Sequence, residues 1–465
     1  MKTASQKRLS ERVQRCLFYS IMIVSPNNFE SRRSHFSNTQ KAAFKILAIV
    51  KVLVFIDLFG VAVLVPLLPS IFRELGADQN LYGFSRSVYN GSQVVGGLAL
   101  GALSDGALSR RTVLLISFLG SFASYLIVGL TKSLQVLIFS RVLVGLVKQT
   151  MTISTALVTD FSTSENRAKE LGQLGGASSF AFIVGPSLGS FLYQQNPMFP
   201  SLVAAGLFLV NSAILLVFVP SSPQTAGKEA ALSENGEGSK EKKDQLGSFA
   251  KFWKNLRATC TDPVVLWLVV ARLLFGFLAR SMSSSGSIGY FEERFGLETY
   301  MLGYIRSYQS IVSLVCQVLL VGPIVKRQKE ITLITASIAA LAFINFFEGS
   351  SLVGVYQYLL LCSPVKGLSF TLLRVCLESL FTQALPKAST GAALSTLNVL
   401  QSVVGVLAPL YSGKMFALID VHERPLASGI HYILFLIMWY FVCLRFIPES
   451  LVAKNKQISS SKKNE

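Results

Sequence analysis

Twelve stretches of this chain are long and apolar enough to cross a bilayer. They lie near residues 45–70, 83–104, 112–131, 134–157, 171–194, 200–220, 263–288, 300–322, 331–349, 352–381, 389–413 and 428–447. About 20 apolar residues span the hydrocarbon core as a helix. Lipid offers no hydrogen bonds, so each backbone polar group must be satisfied within its own segment. The expectation is an all-α membrane protein with twelve transmembrane helices. Composition agrees: 15% of the residues are charged and mean hydropathy is +0.51, whereas soluble domains carry about 25% charge. A soluble enzyme, a disordered chain and a fibrous protein are excluded.

The net charge of +18 would suggest nucleic acid in a soluble chain. Here the basic residues gather on one side. Arg110, Arg111, Arg167, Lys169, Lys251, Lys254, Arg257, Lys326, Arg327, Lys329 and Lys387 fall in alternate loops, and both tails are basic. The opposite loops hold mainly acids, Glu74, Asp78, Glu292, Glu293, Glu298, Glu348, Asp420 and Glu423 among them. Cytoplasmic loops of membrane proteins carry the Lys and Arg excess. The chain is therefore expected to be integral and multi-pass with both termini cytosolic, and no nucleic acid is expected as a partner.

The windows divide six and six around a polar stretch rich in Lys, Glu, Ser and Gly. The expected organisation is a cytosolic tail (1–42), a first six-helix bundle (43–220), a flexible cytosolic linker (221–262), a second bundle (263–447) and a cytosolic tail (448–465). A shift of 223 residues lays Ser140 on Ser363, Thr159 on Thr382 and Pro186 on Pro409 without a gap. Such a match supports duplication, as in transporters built from repeats.

Six cysteines show no paired or metal spacing, the three histidines are far apart, and no glycine-rich phosphate loop occurs. No metal, cofactor or ATP-driven step is expected. The Asn-Gly-Ser at Asn90 spells a glycosylation site but falls inside the second window.

Three stretches carry mechanism. GALSDGALSRR, from Gly101 to Arg111, sits in the loop between spans two and three. Its small residues let helix ends approach, and Asp105 beside Arg110 and Arg111 can clamp neighbouring ends through charge-assisted bonds. Span four holds Arg141, Gly145 and Lys148 and ends at Asp160, with Arg167 seven residues on. Asp160 is a candidate partner for Arg110 or Arg111. Span five holds Gly185 and Pro186, a pair that kinks a helix and permits close packing.

In order and placement these stretches, together with FIDLFGVAVLVPLLPSI (Phe55 to Ile71), resemble the major facilitator superfamily, in particular its tetracycline/proton antiporter branch. The resemblance implies two six-helix bundles related by a pseudo-two-fold axis, a central cavity and alternating access. It implies that Gly101, Asp105, Arg110, Arg111 and Asp160, with Arg167 nearby, form an inner gate, and that Gly185 and Pro186 form the antiporter-type kink. Gly106 and Ser109 depart from the family's pattern in the loop, and the matching loop of the second half, VGPIVKRQKE, has no Asp.

A charge at a helix centre costs roughly 2.5 to 3.5 kcal/mol on insertion scales, so such residues should face a cavity or a partner. Asp57, Arg141, Lys148, Arg280, Arg374 and Glu378 are the candidates for binding substrate and coupling a proton. In one reading Lys148, Arg280 and Arg374 hold an anionic group while Asp57 and Glu378 titrate. In the other they are internal ion pairs, Arg374 with Glu378, and Asp57 with Arg141 or Arg280. Arg306, near one end of span eight, reads as interfacial. The expected function is secondary transport of a small organic solute, with a lean toward anions and toward proton coupling, by a monomer in the lipid bilayer. The alternative is a transporter-fold sensor or scaffold that moves nothing. An enzyme is not expected, since no catalytic constellation falls within the spans.

Overall fold

The computed structural model describes residues 38–105, 108–163, 165–219, 257, 261–283, 286–385 and 390–446. Both tails, most of the 221–262 stretch and Lys387 lie outside the described residues.

Span one runs from Asn38 to Glu74, tightened by a 3-10 turn at Val65–Leu67 around Pro66. Pro66 has no N–H to give the helix, and the narrower turn accommodates it. Spans two to six are Gln79–Asp105, Arg110–Leu130, Leu134–Phe161, Arg167–Gln195 and Phe199–Phe218. Spans seven to twelve are Pro263–Ser281, Met301–Arg327, Glu330–Gly349, Val355–Ala384, Thr390–Leu418 and Arg424–Phe446. Eleven of these qualify as membrane-crossing by length and apolarity. Span two does not, because Gln79, Asn80, Arg86, Asn90 and Gln93 dilute it. Its 27 residues nonetheless rise about 40 Å, and it packs on spans four and eleven. Protein rather than lipid meets its polar side.

Each half builds its own core. Spans seven, nine, ten and twelve enclose a cluster around Ile338, Phe381, Phe435 and Trp439. In the first half Leu53, Phe118 and Leu157 lie toward one end, and Leu64, Tyr125 and Phe208 toward the other. The halves meet along two seams, span two against eleven and span five against eight. The repeat is exact at one helix of each seam: spans five and eleven are both 29 residues, and each bound of the later one lies 223 residues on.

We call the face where span one begins and span twelve ends the near face. The seams close at the far face. Asn90 Nδ2 donates to Gly405 O at 2.7 Å, Ser87 Oγ to Val406 O at 2.7 Å, and Ser307 Oγ accepts from Ser187 N at 3.0 Å. The segment after span seven reaches across as a lid. Ile288 N donates to Gln79 Oε1, Ser70 Oγ to Glu292 Oε1, and Arg73 pairs with Glu293. Ile288 itself joins the apolar cluster of the first half. Toward the near face the seam helices part. A side chain added at Gly172, Gly175 or Gly176 of span five, or at Gly322 of span eight, would meet nothing within 4 Å. The halves are thus held together at the far face, while these glycines toward the near face have no neighbour within 4 Å across the seam.

Candidate functional site

Span four is broken. Its first helix ends at Val147 and its second starts at Thr150, with Lys148 and Gln149 out of helical conformation between them. Discontinuous helices at mid-membrane are where transporters expose backbone and charge to a cavity. Side chains secure the gap: Ser117 Oγ accepts from Gln149 N at 3.2 Å, and Gln149 Nε2 donates to Gln93 O at 3.1 Å. Lys148 thereby swings to Asp57 of span one, Nζ to Oδ1 at 2.5 Å. Asp57 is 0% exposed and Lys148 8%. The ammonium also stands 4.5 Å from the centre of the Phe208 ring, whose face attracts a cation.

Arg141 lies two turns before Lys148 and is 5% exposed. It donates to Ser140 and Ser124 at 3.3 and 3.4 Å and sits over the Tyr125 ring. Asp57 thus takes Lys148 as its partner, rather than Arg141 or Arg280. Arg280 points back to Gly276 O at 3.0 Å beside Gln401 of span eleven, and is exposed. Glu378 pairs with Arg272 of span seven at 3.6 Å, and Arg374 is exposed. The first half therefore gathers Asp57, Arg141 and Lys148, while Arg280, Arg374 and Glu378 stand apart along the second.

At the near face Arg110 forms an ion pair with Asp160, and Arg111 donates to Leu216 O at 2.7 Å. Arg167 Nη2 reaches Thr159 O at 3.4 Å. The loop thus ties spans three, four and six of one half together. Gly101 has open space around it, and the side chain of Asp105 lies outside the described residues. Gly185 allows close packing: a Cβ there already stands 2.6 Å from that of Ala62 in span one.

A second buried carboxylate escaped the sequence reading, which placed Glu348 among the far loops. Glu348 is 0% exposed at the end of span nine. Lys366 of span ten and the hydroxyl of Tyr290 both donate to it. Burial, reinforced by the neighbouring Glu348 charge, holds the Tyr290 phenol well above its ordinary pKa. The pattern Glu348 with Lys366 was visible as charge near apolar windows, but their separation of 18 positions hid that a turn brings them together. The break in span four had a signal too, Lys148-Gln149-Thr150 standing consecutively inside an apolar stretch.

Two six-helix halves held together at the far face, with buried charge at a broken helix, define a membrane transporter of the alternating-access class. A profile of the Major Facilitator Superfamily matches residues 52–409, and the chain belongs to that family. It is 25% identical over 400 residues to the class B tetracycline resistance protein of Escherichia coli, covering 84% of this chain and 93% of that one. To solute carrier family 67 member A1 of Homo sapiens it is 26% identical over 381 residues, 80% of this chain and 87% of the other. Among solved structures, the nucleoside transporter NupG superposes with a TM-score of 0.66 at 16% identity, over 85% of this chain and 99% of that one. A bacterial homolog of the human lysosomal transporter Spinster, inward-facing and unoccupied, gives 0.65 at 12% identity, over 89% and 98%. The protein is a secondary transporter in the membrane.

Proposed function

We propose that this transporter couples a small organic solute to protons, with Asp57 as the site that takes the proton and Lys148 as the partner it releases. The buried Asp57–Lys148 pair at the break in span four carries this reading. Two charges out of water hold each other only while both are charged, and neutralising one strands the other. Protonation of Asp57 therefore frees Lys148 to reorient span four, and the broken backbone at Lys148-Gln149 supplies the hinge. Relatives named for tetracycline and multidrug resistance support a drug- or metabolite-sized substrate. Arg141, close by in the same half, is assigned to hold the local field when the pair opens.

The near face is cytosolic in this reading, supported by Arg110, Arg111, Lys326, Arg327 and Lys329 there. The structure is then inward-facing. The Arg110–Asp160 latch keeps the first half rigid as it rocks, and one chain holds both halves, so a monomer suffices.

The test is transport in proteoliposomes across an imposed pH gradient. Asp57→Asn is expected to exchange substrate down its own gradient but not to concentrate it. An Asp57→Asn protein that still concentrates substrate with unaltered pH dependence would falsify the assignment.

A further inference from the structure

The second half holds a cavity of about 190 Å³ among spans seven, eight, nine, ten and twelve, and every residue lining it belongs to that half. Its geometry follows from a local defect. Span ten opens as a π-helical stretch at Tyr358–Cys362 just before Pro364, whose ring has no N–H to give the helix. Such π segments frequently mark functional sites. The stretch places Tyr358 and, two turns on, Lys366 on the cavity wall. Opposite, Arg306 Nη1 donates to Gln309 Oε1 at 3.0 Å, and Gln309 Nε2 donates to Tyr358 Oη at 2.9 Å. Arg306 is thus a wall of this cavity and not an interfacial residue.

Hydrogen bonding says which kind of guest fits. Both cations on the wall are engaged within the chain, Lys366 with Glu348 and Arg306 with Gln309. Drawing either one onto an anion would break a bond the protein already makes. The unmet capacity is uncharged. Asn345 of span nine and Tyr432 of span twelve line the cavity and are 2% and 1% exposed. Asn345 Nδ2 is tied to Leu341 O at 2.7 Å. Among the described residues its Oδ1 accepts from nothing, and Tyr432 Oη has no partner. Buried polar atoms are nearly always satisfied. One of these orphans can only accept, and the other is a hydroxyl that can donate. Their complement is a head group that donates once and accepts once. A primary amide does so from two separate atoms, which suits side chains arriving from two different helices. Met282 and Phe370 supply an apolar side. A dry cavity of about 150 Å³ accepts benzene, so this one has room for a single ring and a small head.

We propose that this cavity binds a small uncharged aromatic amide. Its N–H donates to Asn345 Oδ1, its carbonyl accepts from the Tyr432 hydroxyl, and its ring lies against Met282 and Phe370. The inference goes beyond the transport reading and does not rest on it, because filling the site requires no movement across the membrane. Arg280 and Arg374, expected at first to hold an anion, stand outside this wall.

The probe is benzamide, titrated calorimetrically into the full-length protein in nanodiscs. Its counterparts are N,N-dimethylbenzamide, which has no N–H, and benzoate, which is charged. Benzamide is expected to bind saturably and each counterpart about tenfold more weakly or worse, as expected when a buried group is left unpaired. Tyr432→Phe removes a hydroxyl that bonds nothing among the described residues. It should leave the unfolding temperature unchanged and weaken benzamide several-fold. Gly367→Val is the second variant. Gly367 lines the cavity, and a Cβ there would first meet Val312 at 3.9 Å, an ordinary contact. The added side chain takes up the room for the ring and should abolish binding. Lys132→Gln, in an exposed loop, should change nothing. Absence of saturable binding would leave water as the only guest and overturn the proposal. Benzoate or N,N-dimethylbenzamide bound as tightly as benzamide would overturn it too, the first because the site then reads charge and the second because it does not read the N–H. Benzamide binding indifferent to Tyr432→Phe, or surviving Gly367→Val, likewise overturns it.

Discussion

The carbonyl oxygen of Pro186 in span five lies 2.1 Å from where a Cβ on Gly303 of span eight would sit. The other seam has the same construction: the carbonyl of Pro409 in span eleven would stand 2.5 Å from a Cβ on Gly83 of span two. Each proline belongs to the repeated helix, and each glycine to the helix it crosses. Backbones touch at both places, and both are toward the far face. These two contacts make the far-side seal a matter of main-chain packing, which any side chain would wedge apart.

Replacing Gly303 or Gly83 by leucine is therefore expected to shift the protein away from the far-closed state. The measurement is labelling of a cysteine placed at Ser307, in a background lacking native cysteines, by a membrane-impermeant thiol reagent added from the far side. Labelling should rise several-fold over the parent. Unchanged labelling together with normal thermal stability would show that the seal does not depend on these contacts.

The Asp57–Lys148 pair predicts a non-additive cycle. Asp57→Asn leaves a buried ammonium without its counter-ion, and loss of one partner of a buried pair typically costs about 3–5 kcal/mol. Lys148→Met strands the carboxylate in the same way. The double variant removes both charges and should recover most of that loss, since an apolar replacement of a whole buried pair is often neutral. Thermal unfolding in nanodiscs checks it. Additive single effects would mean the two side chains do not lean on each other.

The sequence showed what depends on composition and period. Spans, their count and the six-and-six division follow from runs of apolar residues, and the repeat could be aligned on Pro186 and Pro409 by counting alone. It also brought Asp57 and Lys148 forward as costly intramembrane charges. It could not pair them, because pairing depends on how Lys148 leaves the helix, and the same side chain two turns from Arg141 would otherwise share its direction. Glu348 was misread for a related reason. A carboxylate near the end of an apolar window looks like loop, and only packing shows that Tyr290 and Lys366 converge on it. Arg306 points inward because Gln309 and the π-helical opening at Tyr358 give it a polar wall.

At the near face, the Arg110–Asp160 pair separates gating from stability. Its side chains are 23% and 40% exposed, and exposed pairs contribute about 0–1 kcal/mol. Arg110→Gln should barely alter the unfolding temperature while reducing transport, because the ends of spans three and four lose their register. The swap Arg110→Asp with Asp160→Arg should regain part of the lost transport. A swap as poor as the single variant, in a protein that unfolds normally, would assign Arg110 to something other than Asp160.

Tyr290 gives a pH dependence whose sign is fixed by its surroundings. Its hydroxyl, in the short far-side helix Tyr290–Phe295, donates to the buried Glu348. Ionising it would desolvate a phenolate and set it against a carboxylate, so the folded protein holds its pKa well above the ordinary 10.0. In the unfolded chain the phenol ionises near that ordinary value. The contribution of Tyr290 is thus complete below pH 10.0 and declines as pH rises from there toward the raised value of the folded state. Tyr290→Phe removes it together with one hydrogen bond to the buried carboxylate, at a cost of about 1–3 kcal/mol. The gap in unfolding temperature between the parent and Tyr290→Phe should be flat from neutral pH up to that point and narrow above it. A gap that stays flat far above pH 10.0 would show that the Tyr290 phenol does not carry the effect.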